Sequence, residues 1–176
     1  MRFFANVRQD LSRYSNNGRW LYSLKIILVS HSFHLVLIYR VGVFLSRIPF
    51  IGSFLRVMIE YFMRIVFASD ISLRSRIGAG LVIMHGHDIV IGSQVVIGRN
   101  CKILNGVTLG NKDTEASVNQ QPVLGDNVIV GSGAKILGAI KLGDNVKVGA
   151  NTVVLIDVPP GSTIVGVPGR CVAKNL

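Results

Sequence analysis

The stretch from Leu124 to Val153, LGDNVI VGSGAK ILGAIK LGDNVK VGANTV, decides the fold of this 176-residue chain. Each six-residue unit opens with an aliphatic residue, and a glycine usually follows the opener. Four positions after each opener stands another apolar or small residue. Neither a helix nor an ordinary β-meander keeps a six-residue period, whereas a parallel β-helix stacks equivalent positions on successive coils. The repeat therefore predicts a parallel β-helix.

The same phase extends upstream of this stretch. The earlier openers are Ile91, Ile97, Ile103 and Leu109. The apolar or small residues four positions after the openers are Val95, Cys101, Val107, Val128, Ala134, Ile140, Val146 and Thr152. Both sets are expected to point into the coil. Tight corners between short strands favour positive backbone dihedrals, which glycine adopts freely and which Asn127, Asn145 and Asn151 also tolerate.

These hexads resemble those of the hexapeptide-repeat acyltransferase superfamily, in the branch of serine acetyltransferases and polysaccharide O-acetyltransferases. The ending VPPGSTIVGVPGR, which runs to Arg170, is the most specific match, and the resemblance covers residues 70–174. It implies a left-handed coil with three hexads per turn and a homotrimeric enzyme, with a dimer of trimers joined by the N-terminal helices as an open alternative. The expected fold is thus mainly β, a left-handed parallel β-helix with an N-terminal α-helical segment.

Residues 1–69 contain no hexads and form the expected helical segment, whereas residues 70–176 form the expected acetyltransferase domain. Apolar residues and isolated charges alternate in a helix-like way from Trp20 to Phe67. Pro49 and Gly52 are expected to break this region into two helices. Its longest stretch without Asp, Glu, Lys or Arg is too short for a single membrane span, which needs about 20 predominantly apolar residues. A signal peptide is not expected either.

The chain carries a formal net charge of +10 and has a sequence pI near 10.2. Two interpretations of the basic, apolar helices stay open: packing within an oligomer, or contact with an anionic membrane surface. Nucleic acid is not an expected partner because no recognition motif is present. Two cysteines, Cys101 and Cys171, are too few for a disulfide framework and indicate free thiols in the cytoplasm.

The phase slips by two residues between the hexads that open at Ile77 and Ile91, and the slip contains the sequence MHGHD. The resemblance is strongest here, because the family places a catalytic histidine at this slip and an aspartate one coil earlier. His85 and Asp70 match these two positions. An imidazole can take the proton of a hydroxyl that attacks a thioester, and a carboxylate can hold its useful tautomer. No metal is expected, because HxHD without further ligands makes a weak site.

A second interruption separates Leu109 from Leu124, and the family uses this loop to wall the active site between subunits. Its serine-specific members carry an acidic residue before the catalytic histidine and an Arg-His pair before the loop's last proline. This chain has Met84, Gln120 and Gln121 at those positions. Without those charges, an amino acid's carboxylate and ammonium lack obvious partners. We therefore expect a saccharide acceptor, with His87, Gln120 and Gln121 as candidate contacts.

The donor implied by the resemblance is acetyl-CoA. The matching groove positions are Gly110, Asn111, Ser132, Lys147 and Arg170. The expected function is transfer of an acetyl group to a sugar hydroxyl of a bacterial surface polysaccharide or its precursor, in the cytoplasm, with peripheral contact at the inner membrane face. One alternative is a serine O-acetyltransferase. An alternative of another class is a non-catalytic scaffold or interaction protein.

Overall fold

The computed structural model describes residues 2–15, 20–113, 115 and 120–172, in four helices followed by fifteen short strands. The helices are α1 (Arg2–Tyr14), α2 (Trp20–Val29), α3 (His31–Leu45) and α4 (Gly52–Phe67). The strands are β1 (Asp70–Ile71), β2 (Arg76–Ile77), β3 (Val82–Met84), β4 (Val90–Ile91), β5 (Val96–Ile97), β6 (Lys102–Leu104), β7 (Thr108–Gly110), β8 (Val123–Leu124), β9 (Ile129–Val130), β10 (Lys135–Leu137), β11 (Lys141–Leu142), β12 (Lys147–Val148), β13 (Val153–Val154), β14 (Thr163–Val165) and β15 (Arg170–Val172).

The strands form three parallel sheets that make the sides of a prism. The first sheet has the order β1-β4-β7-β10-β13, the second β2-β5-β8-β11 and the third β3-β6-β9-β12-β14. Strand β15 closes the third sheet by pairing antiparallel with β14. From β1 to β10 each strand that pairs with a later one pairs with the strand one coil later, three strands along the chain, whereas β12 pairs with β14. This arrangement confirms the predicted parallel β-helix with three strands per coil.

The hexad openers form three buried columns inside the prism. Ile71, Ile91, Leu109, Ile136 and Val154 stack in the first sheet, Ile77, Ile97, Leu124 and Leu142 in the second, and Ile83, Ile103, Val130, Val148 and Ile164 in the third. The predicted second positions, from Val95 to Thr152, are also buried. Full burial of one aliphatic side chain stabilises a fold by about 1.5–3 kcal/mol, so the columns supply the main driving force.

Asparagines take the corners that the sequence assigned to them. Asn127, Asn145 and Asn151 have φ values of 57°, 60° and 52°, and Asn100 has a φ of 57°. This left-handed region is unfavourable for most residues, but asparagine visits it readily. The corner residues thus let the strands follow each other at sharp angles.

Both interruptions of the repeat lie where the sequence placed them. Ile71 pairs with Ile91 across the first coil, whereas Ile91 pairs with Leu109 across a coil two residues shorter. The two extra residues lie between β3 and β4. The second interruption separates β7 from β8, and the register of the sheets continues beyond it.

The helical segment differs from the expected pair of helices. The region from Trp20 to Phe67 holds three helices, because Ser30 separates α2 from α3 and caps α3 by accepting a hydrogen bond from the Phe33 N–H at 3.3 Å. The break near Pro49 is present between α3 and α4. Helix α1 lies within the predicted helical segment, residues 1–69, but was not predicted as a separate helix.

No single helix among the described residues is both long and apolar enough to cross a bilayer. Helices α2 and α3, which meet at 81°, satisfy such a test of length and composition only as a bent pair.

Side chains of the helices satisfy backbone groups at the open edge of the first coil. The Tyr14 hydroxyl donates to the Ile83 carbonyl and accepts from the Ile83 N–H, both at 2.8 Å. The Tyr39 hydroxyl donates to the Ser75 carbonyl at 2.9 Å. Burial raises the pKa of Tyr14, so its hydroxyl keeps the proton that it donates. Because β1 to β3 have no preceding coil, the helices take the place of one.

A buried ion pair lies at the centre of this cap. The Arg40 guanidinium donates to the Asp10 carboxylate at 2.8 Å, and both side chains are at most 5% exposed. Arg40 also donates to the carbonyls of Ile77 and Gly78 at 2.7 and 2.6 Å. Asp10 accepts hydrogen bonds from two backbone N–H groups of the next corner, those of Gly80 and Leu81. Every charge in this cluster therefore has several partners.

The helices and the prism share one hydrophobic core. Met63 and Phe67 of α4 and Leu35 of α3 are buried in the same cluster as the column residues of the first coil. The division into separate domains at residues 69 and 70 stays a prediction.

We expect Asp10→Ala to lower the free energy of unfolding by about 3–5 kcal/mol, because Arg40 would keep a buried charge without its counterion. Urea denaturation followed by circular dichroism measures the change. Arg64→Ala is the matched control, because it breaks an ion pair to Asp70 whose side chains are 56% and 44% exposed. Exposed pairs contribute about 0–1 kcal/mol. Equal losses in the two variants would contradict the role of the buried pair.

The two cysteines are expected to react at very different rates. Burial raises the pKa of Cys101 to about 11, so at pH 8 this thiol is both inaccessible and protonated. Cys171 is exposed. A colorimetric thiol reagent should titrate one thiol per native chain quickly and the second only after unfolding. Cys171→Ser should remove the fast phase, and a fast phase that survives this change would show that Cys101 is accessible.

Candidate active site

The corner between β3 and β4 holds the candidate catalytic histidine in a strained backbone. His85 and Asp88 have positive φ values of 55° and 56°, and the His87 N–H donates to the His85 carbonyl at 2.7 Å. The Gly86 N–H donates to the Ser32 hydroxyl of α3 at 3.0 Å. A Cβ at Gly86 would lie 3.2 Å from the Ser32 Cα, so helix and corner are in close contact. Backbone strain of this kind clusters at functional sites.

The side chains of this corner are free to meet substrate. Those of His85, His87 and Asp88 are exposed. Neither histidine ring forms a hydrogen bond with another residue in the described part of the chain. An exposed imidazole can reach a bound hydroxyl and serve as its general base.

Hydrogen bonds connect this corner to the corners of the next two coils. The Gly106 N–H donates to the His87 carbonyl at 3.3 Å, and the Gly133 N–H donates to the Asn105 carbonyl at 2.8 Å. The Ser132 hydroxyl donates to the Asn105 side chain at 3.0 Å. The candidate catalytic corner and the candidate donor residue Ser132 therefore lie on one edge of the prism, two coils apart.

His85 and residues of α1, α2 and α3 line a groove of about 480 Å³. Its lining includes Arg13, Tyr14, Tyr22, Ser32, Met84 and Lys102. Lys102 lies on β6, directly above Val82 in the register of the third sheet. Its ammonium forms no ion pair with any described carboxylate. The groove thus combines a candidate base with two cationic side chains.

Asp70 lies outside this groove. It begins β1, in register with Val90, and its carboxylate pairs with the Arg64 guanidinium at 2.9 Å. No hydrogen bond joins Asp70 to His85 within the described residues. The exposed pair contributes about 0–1 kcal/mol, so releasing Asp70 from Arg64 costs little. The orienting role of Asp70 stays a prediction.

The predicted acceptor residues differ in their surroundings. The Gln121 side-chain carbonyl accepts a hydrogen bond from the Gln94 N–H at 2.8 Å, and the amide packs over Gly92. Gln121 therefore joins the end of the second interruption to the coil below. Gln120 is exposed. Residues 114 and 116–119 of this loop lie outside the described residues.

The predicted donor residues lie at separate places on the prism. Gly110 ends β7 and Asn111 follows it, at the edge between the first and second sheets, and a Cβ at Gly110 would meet no atom within 4 Å. Lys147 and Arg170 are exposed on β12 and β15 of the third sheet. Neither forms an ion pair with another described residue. Their cofactor-binding roles stay predictions.

Sequence reasoning missed three residues that line the same groove as His85. They are Tyr14 of α1, Ser32 of α3 and Lys102 of the next coil. Only Lys102 had a signal in the sequence, because the coil period places it one turn after Val82. Across the described residues, no group of three or more His, Cys, Asp or Glu side chains is arranged to hold a metal ion.

Two family profiles match the coil. The bacterial transferase hexapeptide family (six repeats) matches residues 121–155, and the hexapeptide repeat of succinyl-transferase matches residues 88–112. A serine acetyltransferase of Helicobacter pylori (strain ATCC 700392 / 26695) is 39% identical over 151 residues, which are 86% of this chain and 86% of the relative. A serine acetyltransferase of Synechococcus elongatus is 38% identical over 154 residues, and the chain spans only 61% of its length.

Solved structures of serine acetyltransferases have the same fold. The soybean enzyme complexed with serine is 37% identical, with a TM-score of 0.86 over 97% of this chain and 69% of the other. The Brucella abortus enzyme in complex with coenzyme A is 30% identical, with a TM-score of 0.87 over 98% of this chain and 68% of the other.

The predicted polysaccharide acceptor is wrong, because relatives at 34–39% identity over most of the chain and the solved neighbours are serine acetyltransferases. The prediction depended on Met84, Gln120 and Gln121. The structure shows why that basis was weak: the Gln121 amide binds the backbone of Gln94 rather than facing the groove at His85. The groove also holds cations that the three positions did not reveal.

This similarity confirms the predicted hexapeptide-repeat left-handed β-helix and favours an acyltransferase over a non-catalytic scaffold. The chain belongs to the serine acetyltransferase family of hexapeptide-repeat acyltransferases.

Proposed function

We propose that this protein transfers an acetyl group from acetyl-CoA to the hydroxyl of L-serine. The observation that carries the proposal is the similarity to serine acetyltransferases, one of them solved with serine and another with coenzyme A. The exposed His85 on the prism edge supports it, because acyl transfer to a hydroxyl needs a base at neutral pH.

His85 is the proposed general base. It takes the hydroxyl proton of serine as the serine oxygen bonds to the thioester carbonyl carbon. The carbon–sulfur bond then breaks, and the leaving sulfur of coenzyme A takes this proton from His85. His85 lies in the turn with a positive φ of 55°, and its side chain is exposed to solvent. Asp70 is the proposed orienting residue once it exchanges Arg64 for the imidazole.

Lys102 and Arg13 are proposed to meet the carboxylate of serine. The chain lacks the arginine that the family's loop carries, since Gln120 stands at that position. Both cations line the groove at His85, and Arg13 also donates to the Asn100 carbonyl at 3.2 Å. A charge-assisted hydrogen bond from Lys102 would fix the amino acid beside the base.

The proposed donor positions have the chemistry that acetyl-CoA needs. Ser132 is small, and the space beside Gly110 is open, so a pantetheine arm can approach the backbone. Lys147 and Arg170 offer unpaired positive charge for phosphate groups. Because these residues lie on two edges and one face of the prism, the proposed site needs neighbouring subunits. This arrangement supports the proposed homotrimer.

We expect His85→Ala to lower kcat about 10²–10⁴-fold, the usual contribution of a general base. Steady-state release of free coenzyme A measures the change, and the assay requires Cys171→Ser as background, because this exposed thiol reacts with the same reagent. His87→Ala is the matched control and should lower kcat far less. A larger loss in His87→Ala would transfer the role of base to that residue.

Purified protein should release coenzyme A when L-serine is added and should not do so with hexoses. Lys102→Ala should raise KM for serine about 10–100-fold with little change in kcat, because a hydrogen bond to a charged group contributes about 1.5–3 kcal/mol. Lys141→Ala, which removes an exposed lysine of the second sheet, is the control. Turnover that depends on a hexose and ignores serine would overturn the proposed function.

A further inference from the structure

The groove at His85 is lined by hydrogen-bond donors and positive charge. Arg13 of α1 and Lys102 of β6 line it, and neither forms an ion pair with a described carboxylate. The hydroxyls of Ser30 and Ser32 line it too, and each of these oxygens accepts a hydrogen bond from a backbone N–H. Both hydroxyls therefore keep a proton that they can donate. A carboxylate is the kind of group that such a set of donors binds.

No acidic side chain lines this groove, although all nine Asp and Glu residues of the chain belong to its described part. They are Asp10, Glu60, Asp70, Asp88, Asp113, Glu115, Asp126, Asp144 and Asp157. Asp10, on α1, is bonded to Arg40 and to two backbone N–H groups. Asp88 follows His85 closely in the chain, but one of its carboxylate oxygens lies 3.6 Å from the position of a Cβ at Gly106, in the corner of the next coil.

The residue before His85 is apolar. Met84 is 40% exposed and lines the groove, but its thioether has no negative charge for an ammonium group to pair with. An ammonium that enters the groove meets two positive charges and no counterion, and like charges placed side by side oppose binding. An ammonium that stays in water gains nothing from the site. In both cases it adds no affinity.

L-Serine carries a hydroxyl, a carboxylate and an ammonium, and the groove offers partners for the first two groups. We propose that the acceptor site takes hydroxy carboxylates as a class, including those without an amino group, and that Lys102 and Arg13 bind the carboxylate. This inference rests on the proposed acetyl transfer at His85. The hydroxyl oxygen bonds to the acetyl carbonyl carbon, the carbon–sulfur bond breaks, and the hydroxyl proton passes through His85 to the leaving sulfur. The products are an acetoxy carboxylate and free coenzyme A.

Two truncated forms of serine test the proposal on the unaltered site. 3-Hydroxypropionate is serine without the ammonium, and 2-aminoethanol is serine without the carboxylate. Release of coenzyme A in the Cys171→Ser background, with the product identified by mass spectrometry, gives kcat/KM for each acceptor. We expect kcat/KM for 3-hydroxypropionate to be at least as high as that for L-serine. For 2-aminoethanol we expect it to be at least about tenfold lower, because the hydrogen bonds to a charged group are lost.

Met84→Asp should give the site the ammonium partner that it lacks. The ratio of kcat/KM for L-serine to that for 3-hydroxypropionate should rise about tenfold, because the new carboxylate pairs with the ammonium. Both acceptors meet the same enzyme, so a change in His85 itself cancels in this ratio. Met84→Asn, which has nearly the same shape as the aspartate but no charge, is the matched control and should leave the ratio unchanged. An unchanged ratio in Met84→Asp would overturn the proposal.

A homotrimer would bring neighbouring subunits to this groove, so the exposed acids of the second interruption need a variant of their own. Asp113→Asn/Glu115→Gln should leave the ratio unchanged. A fall in the ratio would show that a neighbouring loop binds the ammonium, and it would overturn the proposal. A higher kcat/KM for L-serine than for 3-hydroxypropionate in the unaltered site would overturn this inference alone. Turnover of neither acceptor would instead contradict the proposed function.

Discussion

The buried pair of Asp10 and Arg40 allows the coil to begin. A parallel β-helix satisfies its backbone groups by stacking one coil on the next, so the first coil has one unpaired edge. Arg40 supplies donors to the carbonyls of Ile77 and Gly78, and Asp10 accepts from the N–H groups that follow them. Burying two charges carries a desolvation cost. Here each charged side chain also bonds backbone groups of the first coil that no preceding strand can bond.

This cap extends to the candidate active site. Helix α1, which carries Asp10, also carries Tyr14, and the Tyr14 hydroxyl binds both backbone groups of Ile83. Helix α3, which carries Arg40, also carries Ser32, and Ser32 binds Gly86 in the histidine corner. The strained turn at His85 is therefore held by the same two helices that the ion pair joins. Loss of that pair would loosen the backbone next to the base as well as the edge of the coil.

The repeat made the prism predictable because its information is local. An aliphatic opener every six residues sets the columns, and asparagines such as Asn127 mark the corners, so each hexad predicts its own place. The cap was not predictable in this way, because Asp10 meets Gly80 across 70 residues and nothing in the helical sequence marks that contact. Ser30 was missed for a different reason: an isolated serine between two apolar helices is a weak signal beside proline.

The candidate site was predictable only in part. The two extra residues in the repeat located the corner of His85. They did not locate the helix residues that line the same groove. Gln121 shows the limit of prediction from sequence. Its side-chain amide was expected to contact the acceptor, but it accepts a hydrogen bond from the Gln94 N–H, and the sequence is the same in both cases.

The open edge of the first coil also accounts for the unusual orientation of α4. In most surface helices the apolar stripe faces the core and the polar side faces water. The coil edge demands hydrogen-bond partners, so α4 turns Glu60 toward the backbone of Leu73 and Arg64 toward Asp70, while only a narrow stripe around Met63 reaches the core. The remaining apolar residues are left on the outer side. Capping the coil and exposing an apolar face are thus two results of one orientation of the helix.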